Sequence, residues 1–239
     1  MAVITVTEKD KNEENIDYIE DSLFELFKGA RCETQKKLSG SRTVFEITCP
    51  ETYEDIVRTE VADRAAEIVS INYKYDFLKS RIYAAGLSSE EKEILLASLI
   101  AADLDDDKKF AFDKLKNAKE MAVDGIYNFR MQALKRKWSD VASYIPMSFL
   151  SSQLKDFIFY LLESKKKRVY VDGEKVYDCH YKRLKRSELL GGENLKIIKE
   201  VLLSNCGEVE IAGEIPKADE EYLKEFFKGR IIFSSGYFS

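Results

Sequence analysis

The fold of this chain follows from the stretch Ile94-Leu-Leu-Ala-Ser-Leu-Ile-Ala-Ala102, its most extended apolar run. The run is far shorter than the roughly 18 to 20 apolar residues that cross a bilayer, so it does not predict a membrane span. Ser88 and Glu91, just before it, form a capping-box pair that opens a helix. Because the run is apolar on nearly all sides, it predicts a buried helix at the centre of a bundle.

Helical spacing of apolar residues continues on both sides of this run, from Pro50 to about Glu163. Pro50 suits a first helical turn, and Pro146 interrupts the pattern before the last helix. The acidic cluster at 103–107 is interpreted as a solvated helix cap between two helices. The apolar residues at helical spacing are Val57, Val61, Ala65, Ile68, Tyr75, Leu78 and Ile82, then Leu115, Ala118, Ala122, Ile126, Phe129, Leu134, Trp138, Val141 and Ile145, then Leu150, Leu154, Phe157, Ile158 and Leu161.

Both ends of the chain instead carry strand and hairpin signals. Residues 1–49 are predicted to form a β-α-β-β part, because β-branched runs surround one amphipathic helix. In residues 165–239, Asp172-Gly173 is a strong hairpin signal, and short helices and strands follow it. The sequence therefore predicts a predominantly helical α+β fold in three parts, at 1–49, 50–164 and 165–239. The three parts could also form one compact unit.

Composition excludes several kinds of chemistry. The chain has 239 residues, a net charge of −5, one His and four Cys. The Cys residues have no Cys-x-x-Cys spacing, and no phosphate-binding glycine motif occurs, so we expect no metal site, no cofactor and no enzymatic activity. Cys179-His180 is the one adjacent thiol and imidazole, and it is predicted to lie on a strand with its side chains on opposite faces. The N-terminus has no basic segment before an apolar run, so a cytoplasmic protein is expected.

Positive charge is concentrated in residues 128–186, which hold 14 basic and 6 acidic residues. Basic side chains interleaved with Tyr170, Tyr177 and Tyr181 are typical of a surface that binds nucleic acid or an acidic protein. The alternative is that these charges are solvated or pair with acidic residues of the same chain. One compact patch requires the basic clusters at 165–168 and 182–186 to meet in space, and a hairpin at Asp172-Gly173 could bring them together. The candidate binding residues are Arg130, Lys165, Lys166, Lys167, Arg168, Lys182, Arg183, Lys185 and Arg186.

The segment Asp124-Gly-Ile-Tyr-Asn-Phe-Arg130 resembles the YtxC-like putative sporulation proteins of spore-forming bacteria. Segments at 73–77, 90–96 and 148–162 follow in a similar order, so the similarity spans roughly residues 60 to 190. The resemblance implies a cytoplasmic, helix-rich protein associated with sporulation, and it implies no particular activity. Arg130 ends the motif on an apolar helix, so its guanidinium must be exposed or held in an internal salt bridge.

These observations predict a non-catalytic protein that acts by binding another macromolecule, with a protein as the expected partner. A nucleic-acid-binding module that uses the basic residues of 128–186 is the alternative. A hydrolase that uses unidentified acidic residues is a third possibility.

Overall fold

A computed structural model describes residues 1–192 and 194–234, which form two compact units. The first unit contains residues 1–74 and 105–138, and the second contains residues 75–104 and the described residues from 139 to 234. The units therefore do not follow the three zones of the sequence. Helix α4, Ser89–Leu115, contributes its first part to the second unit and its remainder to the first.

The first unit is built on a four-stranded sheet. Its strands are β1 Ala2–Lys9, β2 Glu33–Ser39, β3 Arg42–Cys49 and β4 Met121–Ala122, in the order β2-β3-β1-β4. Strands β1 and β3 pair antiparallel along their full length, and alternate residues of β3 are buried. Helix α1, Glu13–Gly29, contributes Ile16, Ile19 and Leu23 to the core, as its helical spacing predicts. Strand β4 lies within the predicted helical zone, yet it pairs in parallel with β1.

Helices cover most of the zone 50–164, as the apolar spacing predicts. The predicted run from Leu115 to Ile145 is, however, interrupted at 116–122 by a turn and β4. Besides α4, the helices of this zone are α2 Glu54–Ile68, α3 Lys74–Lys79, α5 Val123–Arg130, α6 Gln132–Tyr144 and α7 Ser151–Glu163. A π-helical segment, Val69–Tyr73, joins α2 to α3. In the described part of the chain, no helix is both long and apolar enough to span a membrane.

The acidic residues 103–107 do not cap or separate helices, so that prediction was wrong. They lie inside α4, and Asp107 is fully buried in the first unit. Its carboxylate contacts the Nζ of Lys74 at 2.7 Å and the Nζ of Lys137 at 2.8 Å. It also accepts a hydrogen bond from Nε1 of Trp138 at 2.8 Å. Burial is possible because these cationic and N–H groups compensate the charge.

The second unit contains a five-stranded sheet in the order β7-β6-β5-β8-β9. Strands β5 and β6 form the predicted hairpin, and β5-β8 and β8-β9 pair in parallel. Helix α8 is buried along most of its length and supplies Ile198, Val201 and Leu202 to the core. The elements are β5 Arg168–Asp172, β6 Lys175–Tyr177, β7 Arg183–Leu184, a 3-10 helix Arg186–Leu190, α8 Lys196–Leu203, β8 Glu208–Ala212, α9 Lys217–Phe226 and β9 Ile231–Ser234. The predominantly helical α+β fold is confirmed.

Candidate functional site

Four cationic side chains lie together where the second sheet ends at β6 and β7. We call Lys175, Lys182, Arg183 and Lys185 the basic edge. Lys175, Lys182 and Arg183 are exposed, and Lys185 is half-buried. None of the four forms an ion pair with any residue that the structure describes. Their charge is therefore available to a partner.

Two turns bring the basic edge together. Gly173 has a φ of +56° in the β5-β6 turn, a conformation that glycine adopts without steric cost. In the next turn, one carboxylate oxygen of Asp178 accepts hydrogen bonds from the backbone N–H of His180 at 2.8 Å and of Lys182 at 2.9 Å. This side-chain bonding reverses the chain between β6 and β7, so that Arg183 pairs with Tyr177.

Tyrosine side chains share one face of the sheet with Arg183. Tyr170 pairs with Tyr177, and Tyr177 pairs with Arg183, so the three side chains point to the same side. The ring of Tyr181 stacks on that of Tyr170, with centroids 4.7 Å apart. A hydrogen bond between the two hydroxyl groups raises the pKa of Tyr170. This face therefore combines a cation with aromatic rings.

The other predicted cluster, 165–168, adjoins the same sheet but is partly used within the chain. Lys166 and Lys167 are exposed just before β5. The guanidinium of Arg168, however, contacts Glu208 at 2.8 Å and Glu210 at 3.2 Å. Strand spacing and register place the Cα atoms of Arg168 and Arg183 about 12 Å apart. Arg168 and Arg183 thus lie on one sheet, but Arg168 already has internal partners.

Two further residues that were predicted to bind a partner, Arg186 and Arg130, lie outside the basic edge. Arg186 is half-buried and donates a hydrogen bond to the carbonyl oxygen of Leu203 at 3.3 Å, so it helps to hold the end of α8. Arg130 lies in the first unit, at the end of α5, where it is exposed. In residues 1–192 and 194–234 no acidic side chain forms the internal salt bridge considered for Arg130.

A cavity of about 130 Å³ lies against the basic edge. Lys175, Arg183 and Lys185 line it together with Glu200 of α8. One carboxyl oxygen of Glu200 accepts a hydrogen bond from the backbone N–H of Ser187 at 2.6 Å, and the other has no hydrogen-bond partner. Burial raises the pKa of Glu200.

The sequence reasoning missed Glu200, although a signal was present. Lys199 and Glu200 are a charged pair inside the apolar run Leu195–Leu203, where both side chains are buried. Charged residues are almost never fully buried unless they are paired. Two adjacent charged residues in an apolar helix therefore indicate buried side chains that have partners elsewhere in the fold.

A larger cavity in the second unit, of about 390 Å³, has a polar end at Glu93. The carboxylate of Glu93 accepts hydrogen bonds from the hydroxyl of Tyr75 at 2.7 and 2.8 Å. It also lies 3.6 Å from the Nζ of Lys79 and 3.7 Å from that of Lys199. Because Glu93 already has three partners, this cavity offers a ligand less unpaired charge than the smaller one.

No cluster of three or more His, Cys, Asp or Glu side chains that could hold a metal ion occurs among residues 1–192 and 194–234. Cys179 and His180 are exposed in a turn, so the prediction that they lie on a strand was wrong. The Asp178 side chain holds the turn through backbone N–H groups, a local bond that strand periodicity does not reveal.

Comparisons with known protein families, with curated proteins and with solved structures find no match.

Proposed function

We propose that the protein acts in the cytoplasm by binding another macromolecule, without catalysis, and that the basic edge is the surface it uses. The observation that carries the proposal is the set of four cations without an ion pair in the described chain, gathered on one sheet edge. The resemblance to YtxC-like proteins suggests sporulation as the process. An acidic surface of a partner protein is the first candidate ligand.

Electrostatics supports a binding role for these residues. Exposed charges contribute little to the stability of a fold, so the fold does not require four cations at this edge. Complementary charges accelerate encounter with an acidic partner and select against basic ones. A cationic edge strand also discourages edge-to-edge pairing between copies of a chain. The experiment must therefore separate binding from protection against aggregation.

Nucleic acid is the second candidate ligand, and the tyrosine face favours it. Tyr181 is 49% exposed and stacks on Tyr170, on the sheet that carries Arg183. Aromatic rings on an exposed sheet can stack with unpaired bases, while cations contact the phosphates.

The test compares two variants with the same change in net charge. Lys182→Gln/Arg183→Gln removes half of the basic edge, and Lys109→Gln/Lys228→Gln removes two exposed lysines elsewhere. We expect the first variant alone to lose the partner in pull-downs from sporulating cells. Nuclease treatment during the pull-down distinguishes a protein partner from nucleic acid. Both variants should melt as the wild type does.

Salt dependence gives a second measurement, by fluorescence anisotropy with a single-stranded oligonucleotide. If all four cations contact phosphates of a single strand, the affinity should fall about 50-fold between about 50 and 200 mM salt. Equal loss of partner in both variants would refute the basic edge as the binding surface. Aggregation of the first variant without a change in binding would assign the charges to edge protection.

A further inference from the structure

Two of the four cysteines lie opposite each other at the open end of the β2-β3 hairpin. Cys49 is the last residue of β3, and Cys32 immediately precedes β2. We propose that hydrogen peroxide converts Cys32 and Cys49 into a reversible cross-strand disulfide, so that the pair is a redox-sensitive modification site. This site belongs to the first unit and is independent of the basic edge, which belongs to the second.

The register of the hairpin places the two thiols on one face of the sheet. Glu33 pairs with Thr48 in the antiparallel ladder, so one position further along Cys32 is opposite Cys49. Alternate residues of a strand point to the same face, so both thiols lie on the side where Ile47 is buried. The two side chains are close enough to form a hydrogen bond between the thiols. The fold therefore brings the two sulfur atoms together.

The turn of the hairpin determines which kind of cross-strand pair they form. A two-residue turn joins β2 to β3, with Ser39 paired to Arg42 on either side of it. The residues that flank such a turn are joined by a backbone hydrogen bond, and hydrogen-bonded and non-hydrogen-bonded pairs alternate from there. By this alternation, Cys32 and Cys49 form a non-hydrogen-bonded pair. In agreement, the N–H of Cys32 donates instead to the carbonyl oxygen of Phe27, at 2.8 Å, at the end of α1.

The spacing of a non-hydrogen-bonded pair suits a disulfide. The Cα atoms of such a pair lie about 4.5 Å apart, and disulfides span Cα–Cα distances of about 4.4–6.8 Å. A small adjustment of the backbone brings the Cβ atoms within the roughly 3.5–4.5 Å that a disulfide requires. The bond between Cys32 and Cys49 therefore forms without a change in the register of the strands.

The two thiols differ in exposure, which assigns their roles. Cys32 is half-buried, so peroxide reaches its sulfur, whereas Cys49 is fully buried and reacts second. Burial raises the pKa of both thiols. The reactive thiolate is therefore scarce at neutral pH, and we expect oxidation over minutes to hours rather than seconds.

The oxidation has two steps. The Cys32 thiolate attacks one oxygen of hydrogen peroxide, an S–O bond forms, and the O–O bond breaks. The sulfur is oxidised to a sulfenic acid, and the departing hydroxide takes up the proton lost by the thiol. The sulfur of Cys49 then attacks the sulfenic sulfur, so that the S–S bond forms and the hydroxyl leaves as water with the Cys49 proton. One peroxide and two thiols thus give one disulfide and two waters, and dithiothreitol regenerates the thiols by exchange.

The test oxidises the folded full chain with hydrogen peroxide and maps disulfides by mass spectrometry after free thiols are blocked. Trypsin releases Cys32 in the peptide 32–36 and Cys49 in the peptide 43–58. We expect these two peptides to be linked, and to separate after treatment with dithiothreitol. Oxidation in urea is the control for proximity, because the unfolded chain should also give links to Cys179 and Cys206.

Variants test the two residues. Cys32→Ser should abolish the link. Cys179→Ser is the matched control and should retain it, because Cys179 is exposed in the second unit. Cys49→Ala leaves Cys32 without a partner, so the sulfenic acid should persist and be labelled by dimedone. If Cys49→Ala does not fold, the comparison of Cys32→Ser with Cys179→Ser still decides the matter.

The bond should also stabilise the first unit. A disulfide that closes a loop of about 15 residues restricts the unfolded chain and so favours the folded one. We expect the melting temperature of the wild type and of Cys179→Ser to rise by at least about 5 °C on oxidation, and to fall again after reduction. The melting temperature of Cys32→Ser should not rise.

Three results would overturn the inference. Absence of a link between 32–36 and 43–58 in the oxidised folded chain would show that the thiols do not converge. The same set of links in the folded chain and in urea would show that the fold does not select this pair. An unchanged or lower melting temperature after the bond forms would show that the bond distorts the hairpin instead of fitting its register.

Discussion

Replacing Asp107 by Asn should destabilise the first unit strongly. Asp107 and Lys74 are both buried, and their charged atoms lie 2.7 Å apart. The substitution removes the negative charge while nearly preserving the size of the side chain. Breaking a buried ion pair by changing one partner costs about 3–5 kcal/mol, because the buried charge that remains loses part of its compensation. We expect a loss of this size in the free energy of unfolding.

The assay uses the single tryptophan of the chain, Trp138, which donates a hydrogen bond to Asp107. Its fluorescence therefore reports on this cluster during unfolding in urea. With an m value of about 2 kcal/mol per molar urea, the midpoint should move down by about 1.5–2.5 M. Asp106→Asn is the matched control, because Asp106 is exposed on the same helix. Its effect should stay within about 0.5 kcal/mol.

A double variant separates the charge from the packing. Lys74→Met/Asp107→Leu replaces the pair by apolar side chains and should recover part of the lost stability, although the indole N–H of Trp138 loses this acceptor. Lys137, which also contacts Asp107, is 39% exposed, so water can solvate its charge. A loss below about 1 kcal/mol in Asp107→Asn would refute the reasoning that Asp107 is an ionised, desolvated partner.

Three further predictions concern packing, thiol reactivity and pH. Gly207→Ala should lower the melting temperature, because its Cβ would lie 2.0 Å from a backbone carbonyl oxygen. Gly29→Ala is the control and should not lower it, because its Cβ meets nothing within 4 Å, so equal effects would contradict the close packing at Gly207. After treatment with a thiol reagent, mass spectrometry should find exposed Cys179 modified first and buried Cys206 last. Burial raises the pKa of Cys206 to about 11, which lowers its thiolate fraction, and the reverse order of modification would refute this explanation. Burial raises the pKa of Glu200 above its ordinary 4.5, so the wild type should lose stability as pH rises from 4.5 through the raised value. Glu200→Gln should therefore gain stability relative to the wild type as pH rises above 4.5, and a constant difference in urea midpoint would argue against a raised pKa.

Local sequence patterns predicted the secondary structure and part of the candidate site. Apolar spacing indicated the helices between residues 50 and 164, and Asp172-Gly173 indicated the β5-β6 hairpin. The excess of basic residues pointed to Lys182, Arg183 and Lys185. These features could be predicted because helix periodicity, turn conformation and charge density depend on residues close together in the chain.

Tertiary contacts decided the rest. Strand β4 has only two residues, so no periodic pattern could reveal its pairing with β1. Asp107 belongs to a cluster of acids that suggests a solvated surface, yet it is buried because Lys74, 33 positions away, contacts it. Arg168 forms an internal ion pair because the register of β5 and β8 places Glu208 opposite it.

The basic residues could be predicted from the sequence, but the cavity beside them could not. The sequence by itself determined which residues carry the positive charge and predicted the hairpin at Asp172-Gly173. Only the tertiary structure decided which cations have internal partners and that Glu200 lines a cavity beside Lys175 and Arg183. Burial and ion pairing depend on the distance between residues far apart in sequence, and folding of the sheet against α8 fixes that distance.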